Sequence, residues 1–205
     1  MIEYFYSSHS GYAYLGSAAL KRIADAAGMR IAHRPFDLRR VVRAAKGPGF
    51  SGFSDAYRAY FFGTEIDRWA AFRGVEIMES TPTHHDNGIA LSGGFLIAAA
   101  EAGADIDTLS HAVLTAHWRD DADLDDRATL ARIAAACGLD GEALVTQADS
   151  APIQAIYEAN TDEAIARGLF GSPTYLLDGE MFYGQDRLDF LARALGVSRE
   201  TFEEG

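Results

Sequence analysis

The chain has 205 residues, of which 48% are hydrophobic and 11% aromatic, and its formal net charge at pH 7 is −12. A chain of this size can bury one sizeable core or two smaller ones. The negative charge argues against nucleic acid as a partner, because a phosphate-binding surface needs a concentrated basic face. The single cysteine, Cys137, excludes an internal disulfide, and its place at the end of an apolar helical stretch predicts a small buried side chain.

The sequence also lacks the signs of a membrane or secreted protein. No window approaches the length of apolar residues that a membrane span requires. The N-terminus has no basic region followed by an apolar stretch and a cleavage site. We therefore expect a cytoplasmic protein that does not enter a membrane.

The first predicted elements are a strand over residues 2–6 and a helix from Tyr12 to Ala27. The helix carries apolar residues at positions 12, 15, 19, 23 and 27, and a polar turn precedes it. Ser10 therefore lies where a strand passes into a helix N-terminus. Unpaired N–H groups and the helix dipole favour an anion at such a point.

A basic segment follows at residues 38–46, with four cations in nine residues. Apolar positions lie between them, and Arg34 and Arg58 lie on either side of the segment. One interpretation is a solvated helix face. The other is the border of a cleft that attracts an anionic small molecule against the overall field of the protein.

Nearly all of the middle of the chain reads as helix. Apolar residues at three- and four-residue spacings predict helices over 89–101, 108–118, 127–137, 142–148 and 153–167, and residues 50–73 begin the inserted region. The aromatic residues of that stretch, with Trp118, are either plain core or the wall of an apolar pocket. This order predicts a helical insertion, residues 49–152, between an N-terminal part of the sheet domain, residues 1–48, and a C-terminal part, residues 153–205.

Two clusters in this region suggest metal ligands, and we expect neither to bind one. Asp121, Asp123 and Asp125 alternate like the start of a calcium loop, but the glycine and the final glutamate of such a loop are absent. His84 and His85 are adjacent, which rarely lets both point at one ion, and no spaced third histidine or cysteine accompanies them. A loop between helices is the better interpretation of this pair.

The last elements predict a β-hairpin followed by a helix. Pro173 opens an apolar strand, which suits a first-residue position, and Asp178 with Gly179 supplies the positive φ angles of a two-residue turn. A proline-led hairpin that runs into a helix resembles the C-terminal half of a thioredoxin fold. In that fold the first helix start carries Cys-x-x-Cys, whereas this chain has Ser10 and Ala13 at the two cysteine positions.

Residues 10–15, SGYAYL, resemble the Ser-Pro-Tyr-x-Tyr-Leu motif of the 2-hydroxychromene-2-carboxylate isomerases and kappa-class glutathione transferases, relatives of the DsbA-type oxidoreductases. Weaker matches follow in the family's order at residues 34–35, 58–61, 67–69, 116–118, 138–140 and 184–187. The resemblance implies an α/β fold: a thioredoxin-like fold with a large all-helical insertion. Gly11 stands where the family usually has proline.

The resemblance also implies glutathione as the cofactor, with its thiolate as the nucleophile. Ser10 would be the catalytic residue, a hydrogen-bond donor that stabilises the thiolate. Six residues would contact glutathione along its length: Gly11, Tyr12, Ser172, Pro173, Gln185 and Asp186. Of these, the Ser172 backbone would pair with the cysteinyl unit, and Gln185 with Asp186 would hold the γ-glutamyl end.

The function implied is a glutathione-dependent isomerase that acts on a small aromatic-derived carboxylate, with no metal. Two alternatives stay open: a kappa-like glutathione transferase, and a noncatalytic thioredoxin-fold module that binds a thiol or a peptide. A Ser10 hydrolase is disfavoured, because the adjacent His9 is badly placed to act as its base. The resemblance is also compatible with a homodimer.

Overall fold

The computed structural model describes residues 1–203, and its centre is a four-stranded mixed sheet. The strands are β1 (Ile2–Tyr6), β2 (Ile31–Pro35), β3 (Thr174–Leu177) and β4 (Glu180–Tyr183). They lie in the order β2-β1-β3-β4. Strand β1 pairs parallel to β2 and antiparallel to β3, and β3 pairs antiparallel to β4. Strands from the two ends of the chain therefore meet at the middle of the sheet.

Helices occupy most of the remaining chain. In order they are α1 (Gly11–Ala26), α2 (Leu38–Lys46), α3 (Asp55–Ala59), α4 (Glu65–Arg73), α5 (Ala90–Glu101), α6 (Ile106–Trp118), α7 (Arg127–Ala136), α8 (Gly141–Ala148), α9 (Ala151–Ala166), α10 (Leu188–Ala194) and α11 (Arg199–Glu203). Helices α5 to α9 confirm the five helices predicted from apolar spacing, each to within two residues at either end. The stretch over 50–73 contains a 3-10 turn, α3, a π turn over 60–64 and α4.

Local chemistry explains where several of these elements begin. Asp37, Asp105, Asp126 and Asp140 each precede a helix and accept a hydrogen bond from the N–H three residues later. The predicted hairpin turn is confirmed, with φ of 50° at Asp178 and 88° at Gly179. These two residues tolerate the left-handed conformation at low cost, which is why the turn falls between β3 and β4.

The insertion shares one hydrophobic core with the sheet. A continuous cluster of buried side chains runs from Tyr4 in β1 to Phe95 in α5 and Leu130 in α7. Helix α5 packs against β2, and α6 packs against α1. The predicted boundary at residue 152 falls inside α9, and residues 204 and 205 of the predicted C-terminal part lie outside the described residues.

Cys137 corrects one expectation. It caps the C-terminus of α7, as predicted, but its side chain is half-buried rather than enclosed, and it packs against the edge of the core. Burial, and then the charge of Asp105, raises the pKa of its thiol. The residue is therefore partly accessible but poorly ionised.

Across residues 1–203, every helix is too short or too polar to cross a bilayer.

Candidate active site

A cavity of about 860 Å³ lies where β1 passes into α1, and the two ends of the chain both contribute to it. One side is formed by α2 and residues 48–67, and the other by residues 170–172 with Tyr183. Its volume lies within the range of ligand-binding sites. Ser10 lines this cavity at its junction with the sheet.

Ser10 begins α1, as the sequence predicts. Its Oγ accepts a hydrogen bond from the Ala13 N–H at 3.2 Å and donates one to the Ser172 carbonyl at 3.2 Å. The side chain is buried, with 7% of its surface exposed. The hydroxyl therefore joins the helix start to the chain just before β3, which is where the two ends of the sequence meet.

Three backbone donors on this wall are open. Within residues 1–203, no group accepts a hydrogen bond from the N–H of Gly11, Tyr12 or Ser172, and all three residues line the cavity. Buried N–H groups are normally paired, so these are available to a ligand. With the dipole of α1 behind two of them, they make a site suited to an anion.

The glycine at position 11 has a steric reason. A Cβ built there would lie 2.9 Å from Cζ2 of Trp118 and 3.2 Å from Cδ1 of Ile66. The indole of Trp118 therefore occupies the space that a proline ring would need, and its Nε1 donates to the His9 carbonyl at 3.1 Å. Gly11 thus replaces the family's proline at a point where Trp118 packs directly on the helix start.

Aromatic side chains form much of the cavity lining. Tyr57, Phe61, Phe62 and Trp118 line the cavity, in agreement with the pocket alternative, and the Tyr12 hydroxyl donates to the Phe61 carbonyl at 2.5 Å. Some of the aromatic residues of the same stretch lie elsewhere. Tyr60 is 52% exposed, and Trp69 packs edge-on against Phe72.

Some residues of the basic segment border the cavity, and another lies on the solvated face of the helix. Arg39, Arg43 and Lys46, on one face of α2, line the cavity, whereas Arg40 points away and pairs with Glu158 and Asp162 of α9. Arg39 is already bound, because its Nη2 donates to the carbonyls of residues 85–87. Arg58 also lines the cavity, but its guanidinium donates to the carbonyls of Phe50 and Phe53. Arg43 and Lys46 are the cations of α2 that a bound carboxylate can reach.

The other residues implied by the resemblance lie behind the wall. Among the described residues, the cavity lining does not include Pro173, Gln185 or Asp186. The Ser172–Pro173 peptide bond is cis, and the Pro173 carbonyl accepts from the Gly184 N–H. Gln185 is fully buried and accepts from the Arg73 guanidinium through its side chain and its backbone.

Asp186 is held beside that residue in a short 3-10 turn, and its Oδ2 accepts from Arg187 at 2.6 Å. It does not cap α10, which begins at Leu188 with no side-chain cap.

Three histidines meet beside Ser10, a grouping that the sequence analysis missed. One ring nitrogen from each of His9, His85 and His117 lies within 4.8 Å of the others. Burial is the largest cause that lowers the pKa of all three, to about 3 for His9 and about 4 for His85. His9 and His85 line the cavity. No sequence spacing signals this grouping, since His9 lies 76 residues before His85.

The loop that carries His85 is held by hydrogen bonds to Asp121, Asp123 and Asp125, the acidic residues that alternate like the start of a calcium loop. Asp121 accepts from the Thr83 backbone and hydroxyl, Asp123 from Asn87, and Asp125 from the Gly88 N–H. The carboxylates hold a neighbouring loop in place. They thereby fix the position of His85 at the cavity.

Known proteins are similar to this chain along nearly its whole length. A 2-hydroxychromene-2-carboxylate isomerase from Pseudomonas putida is 28% identical over 196 residues, covering 96% of this chain and 94% of its own. One from Sphingobium xenophagum is 29% identical over 194 residues, covering 93% and 95%. A solved structure of a 2-hydroxychromene-2-carboxylate isomerase superposes with a TM-score of 0.81 at 26% identity, covering 95% of this chain and 94% of that chain.

A more distant solved structure shares the fold alone. The cytosolic disulfide reductase DsbM from Pseudomonas aeruginosa superposes with a TM-score of 0.66 at 16% identity, covering 96% of this chain and 99% of that chain. The α/β thioredoxin-like fold with a helical insertion is thus confirmed. The profile of the family described as DSBA-like thioredoxin domain matches residues 1–196. This chain therefore belongs to the family of DSBA-like thioredoxin domains.

Proposed function

We propose that the protein is a glutathione-dependent isomerase of the 2-hydroxychromene-2-carboxylate type. The observation that carries the proposal is the set of donors around Ser10, which lies at one end of a cavity with aromatic walls and cations on α2. The similarity to isomerases along nearly the whole chain supports it. When bound, glutathione would supply a thiolate that adds reversibly to the unsaturated ring of the substrate.

The residues around Ser10 fit a tripeptide thiol. The open N–H and the carbonyl of Ser172 suit the cysteinyl backbone, although the carbonyl must first release the Ser10 hydroxyl. That hydroxyl then donates to the sulfur, together with the open amides of Gly11 and Tyr12. All three groups favour the charged form of the thiol and lower its pKa.

The cations at the cavity suit the carboxylates of both ligands. Arg43 and Lys46 face the cavity from one side of α2, and the Lys46 ammonium lies 5.9 Å from the ring centroids of Phe53 and Phe170. A carboxylate placed against these groups would be held while an aromatic ring packs on the aromatic side chains of the lining. This division of one cavity into a polar end and an apolar wall orients a substrate without a protein nucleophile.

Calorimetric titration with reduced glutathione and with S-methyl glutathione tests the thiolate. We expect the affinity for reduced glutathione to increase as the pH rises through the pKa of the bound thiol, because the donors favour the anion. The methylated analogue cannot ionise at sulfur and serves as the control, with no such increase. Equal pH dependence for the two ligands would contradict thiolate activation.

The isomerase activity itself is tested by following the ultraviolet spectrum of 2-hydroxychromene-2-carboxylate with enzyme, with and without glutathione. We expect conversion to the ring-opened isomer that depends on glutathione, with no net consumption of the thiol. Consumption of glutathione in proportion to product would identify a transferase instead.

Replacement of Cys137 by alanine is expected to leave this activity unchanged. Its thiol has a raised pKa, and Cys137 is not among the described residues that line the cavity. Disulfide exchange requires an accessible thiolate, so the protein should also fail to reduce or oxidise a disulfide substrate. Loss of activity in Cys137→Ala, at an unchanged thermal midpoint, would place this cysteine in the chemistry and refute the ligand-thiolate mechanism.

A further inference from the structure

We propose that His9, His85 and His117 form a binding site for a divalent transition-metal ion, with zinc as the ion that suits it, on the wall of the cavity beside Ser10. The inference goes beyond the isomerase proposal and does not depend on it. Three imidazoles are a known ligand set for zinc, and they leave a fourth position for another ligand.

The distances are close to those of a metal site. His85 Nδ1 lies 3.1 Å from His117 Nε2, and a ring nitrogen of His9 lies within 4.8 Å of a nitrogen of each. Zinc–nitrogen bonds of about 2.0–2.1 Å place two ligands of a tetrahedral site about 3.4 Å apart. The first pair already fits. The His9 ring stacks on the His117 ring, with centroids 4.4 Å apart, so it must turn before its Nε2 can join the set.

Second-sphere contacts hold two of the rings in the state that a metal requires. His9 Nδ1 lies 3.1 Å from the His85 carbonyl, and His117 Nδ1 lies 3.0 Å from the Ala122 carbonyl. A carbonyl can only accept, so each Nδ1 carries the proton and each Nε2 presents a lone pair. Metal-bound histidines use this arrangement, with the distal N–H donated to a backbone carbonyl.

One ring nitrogen of His9 is buried and has no partner among the described protein groups. Its side chain is buried, with only 5% of the residue exposed, yet Nε2 has no hydrogen-bond partner within residues 1–203. A buried acceptor without a partner destabilises the folded protein. A metal ion at the centre of the three rings would satisfy it.

The charges around the cluster set the conditions for binding. Burial lowers the pKa of each ring, so the rings are neutral and none has to release a proton before it binds a cation. His85 must move its proton from Nδ1 to Nε2, because Nδ1 now donates to His117. Arg39, bound to the carbonyls of residues 85–87, opposes a cation here, whereas Asp121 and Asp123 favour one.

The position of the site connects it with the cavity. His9 and His85 line the cavity, whereas His117 is fully buried behind them. The fourth ligand would therefore come from the cavity side, as a water molecule or as an anionic oxygen of a bound molecule. His9 also precedes Ser10 directly, so an ion held here would fix the start of α1.

Titration of the metal-free protein with Co²⁺ tests the proposal, because tetrahedral Co²⁺ absorbs visible light and Zn²⁺ displaces it without colour. We expect one Co²⁺ per chain with tetrahedral absorption, its loss when Zn²⁺ is added, and a higher thermal midpoint with Zn²⁺. Replacing a second-sphere partner of a metal ligand costs about 10–100-fold in affinity. Loss of the ligand in His85→Ala should therefore weaken binding by more than about 100-fold.

His84→Ala is the matched control. His84 is the neighbour of His85 in the same loop, is more exposed, and contacts Asp123 rather than the cluster. We expect this variant to bind Co²⁺ like the parent protein. No stoichiometric binding by the parent, or equal weakening in the two variants, would overturn the proposal. His85→Gln, which retains a polar side chain, replaces His85→Ala if circular dichroism shows that the alanine variant is unfolded.

Discussion

Replacing Ser10 with glycine is expected to lower kcat/KM for the isomerase reaction by about 100- to 1000-fold, with little loss of stability. Loss of one donor to an anion in a site that excludes water typically costs about 2.7–4 kcal/mol of transition-state stabilisation. Ser10 Oγ is buried and reaches the edge of the cavity between the helix start and the Ser172 carbonyl. The measurement is steady-state kinetics at saturating glutathione.

Glycine is the informative replacement because Ser10 also caps α1. Its Oγ accepts from the Ala13 N–H, and an alanine at a cap costs about 0.5–2 kcal/mol of stability, whereas glycine costs only a few tenths. Ser10→Ala and Ser10→Gly should therefore lose activity equally but differ in thermal midpoint. If the variant with the lower thermal midpoint also lost more activity, Ser10 would act by capping the helix. An unchanged rate in both variants would show that the backbone donors alone stabilise the thiolate.

The free energy of unfolding is expected to fall steeply as the metal-free protein is acidified from about pH 6.5 to pH 4. Burial lowers the pKa of His9 to about 3 and of His85 to about 4, whereas the same side chains in the unfolded chain have pKa values of about 6.5. Between these limits the unfolded chain binds more protons. The stabilisation is therefore complete above pH 6.5 and is lost as the pH falls towards the folded-state pKa values.

Each histidine contributes a slope of about 1.4 kcal/mol per pH unit in that window. Urea unfolding at a series of pH values, with a chelator present, measures the slope. We expect His85→Gln to reduce it by roughly the contribution of one proton, because the variant has no imidazole to protonate in the unfolded state. His84→Gln, in the same loop but exposed, should change it little. An identical slope in the parent protein and His85→Gln would contradict the prediction.

The elements that depend on neighbouring residues could be predicted well. Helices α5 to α9 follow from apolar spacing, and Asp178 with Gly179 determines the hairpin turn. The placement of Ser10 at a helix start also needs only the local pattern. Caps, turns and apolar faces are short-range interactions, so residues a few positions apart contain the information that determines them.

Predictions that needed two distant segments were less complete. The basic segment on α2 left two interpretations open, and its residues divided between them because Arg40 found partners on α9. The place of Gln185 at the γ-glutamyl end of glutathione stays a prediction, and only the structure shows that its side chain is buried against Arg73. Which face of a helix a distant element covers is a property of packing, and apolar spacing does not encode it.

The sequence by itself determined the fold class, the hairpin and the position of Ser10, because each rests on a local pattern or a motif at one place in the chain. Only the tertiary structure decided what surrounds Ser10. It brings Ser172 to the helix start and groups His9, His85 and His117 from three separate segments. It also places Trp118 on Gly11. These contacts form when the insertion packs against the sheet over a shared core, which joins residues that no sequence spacing relates.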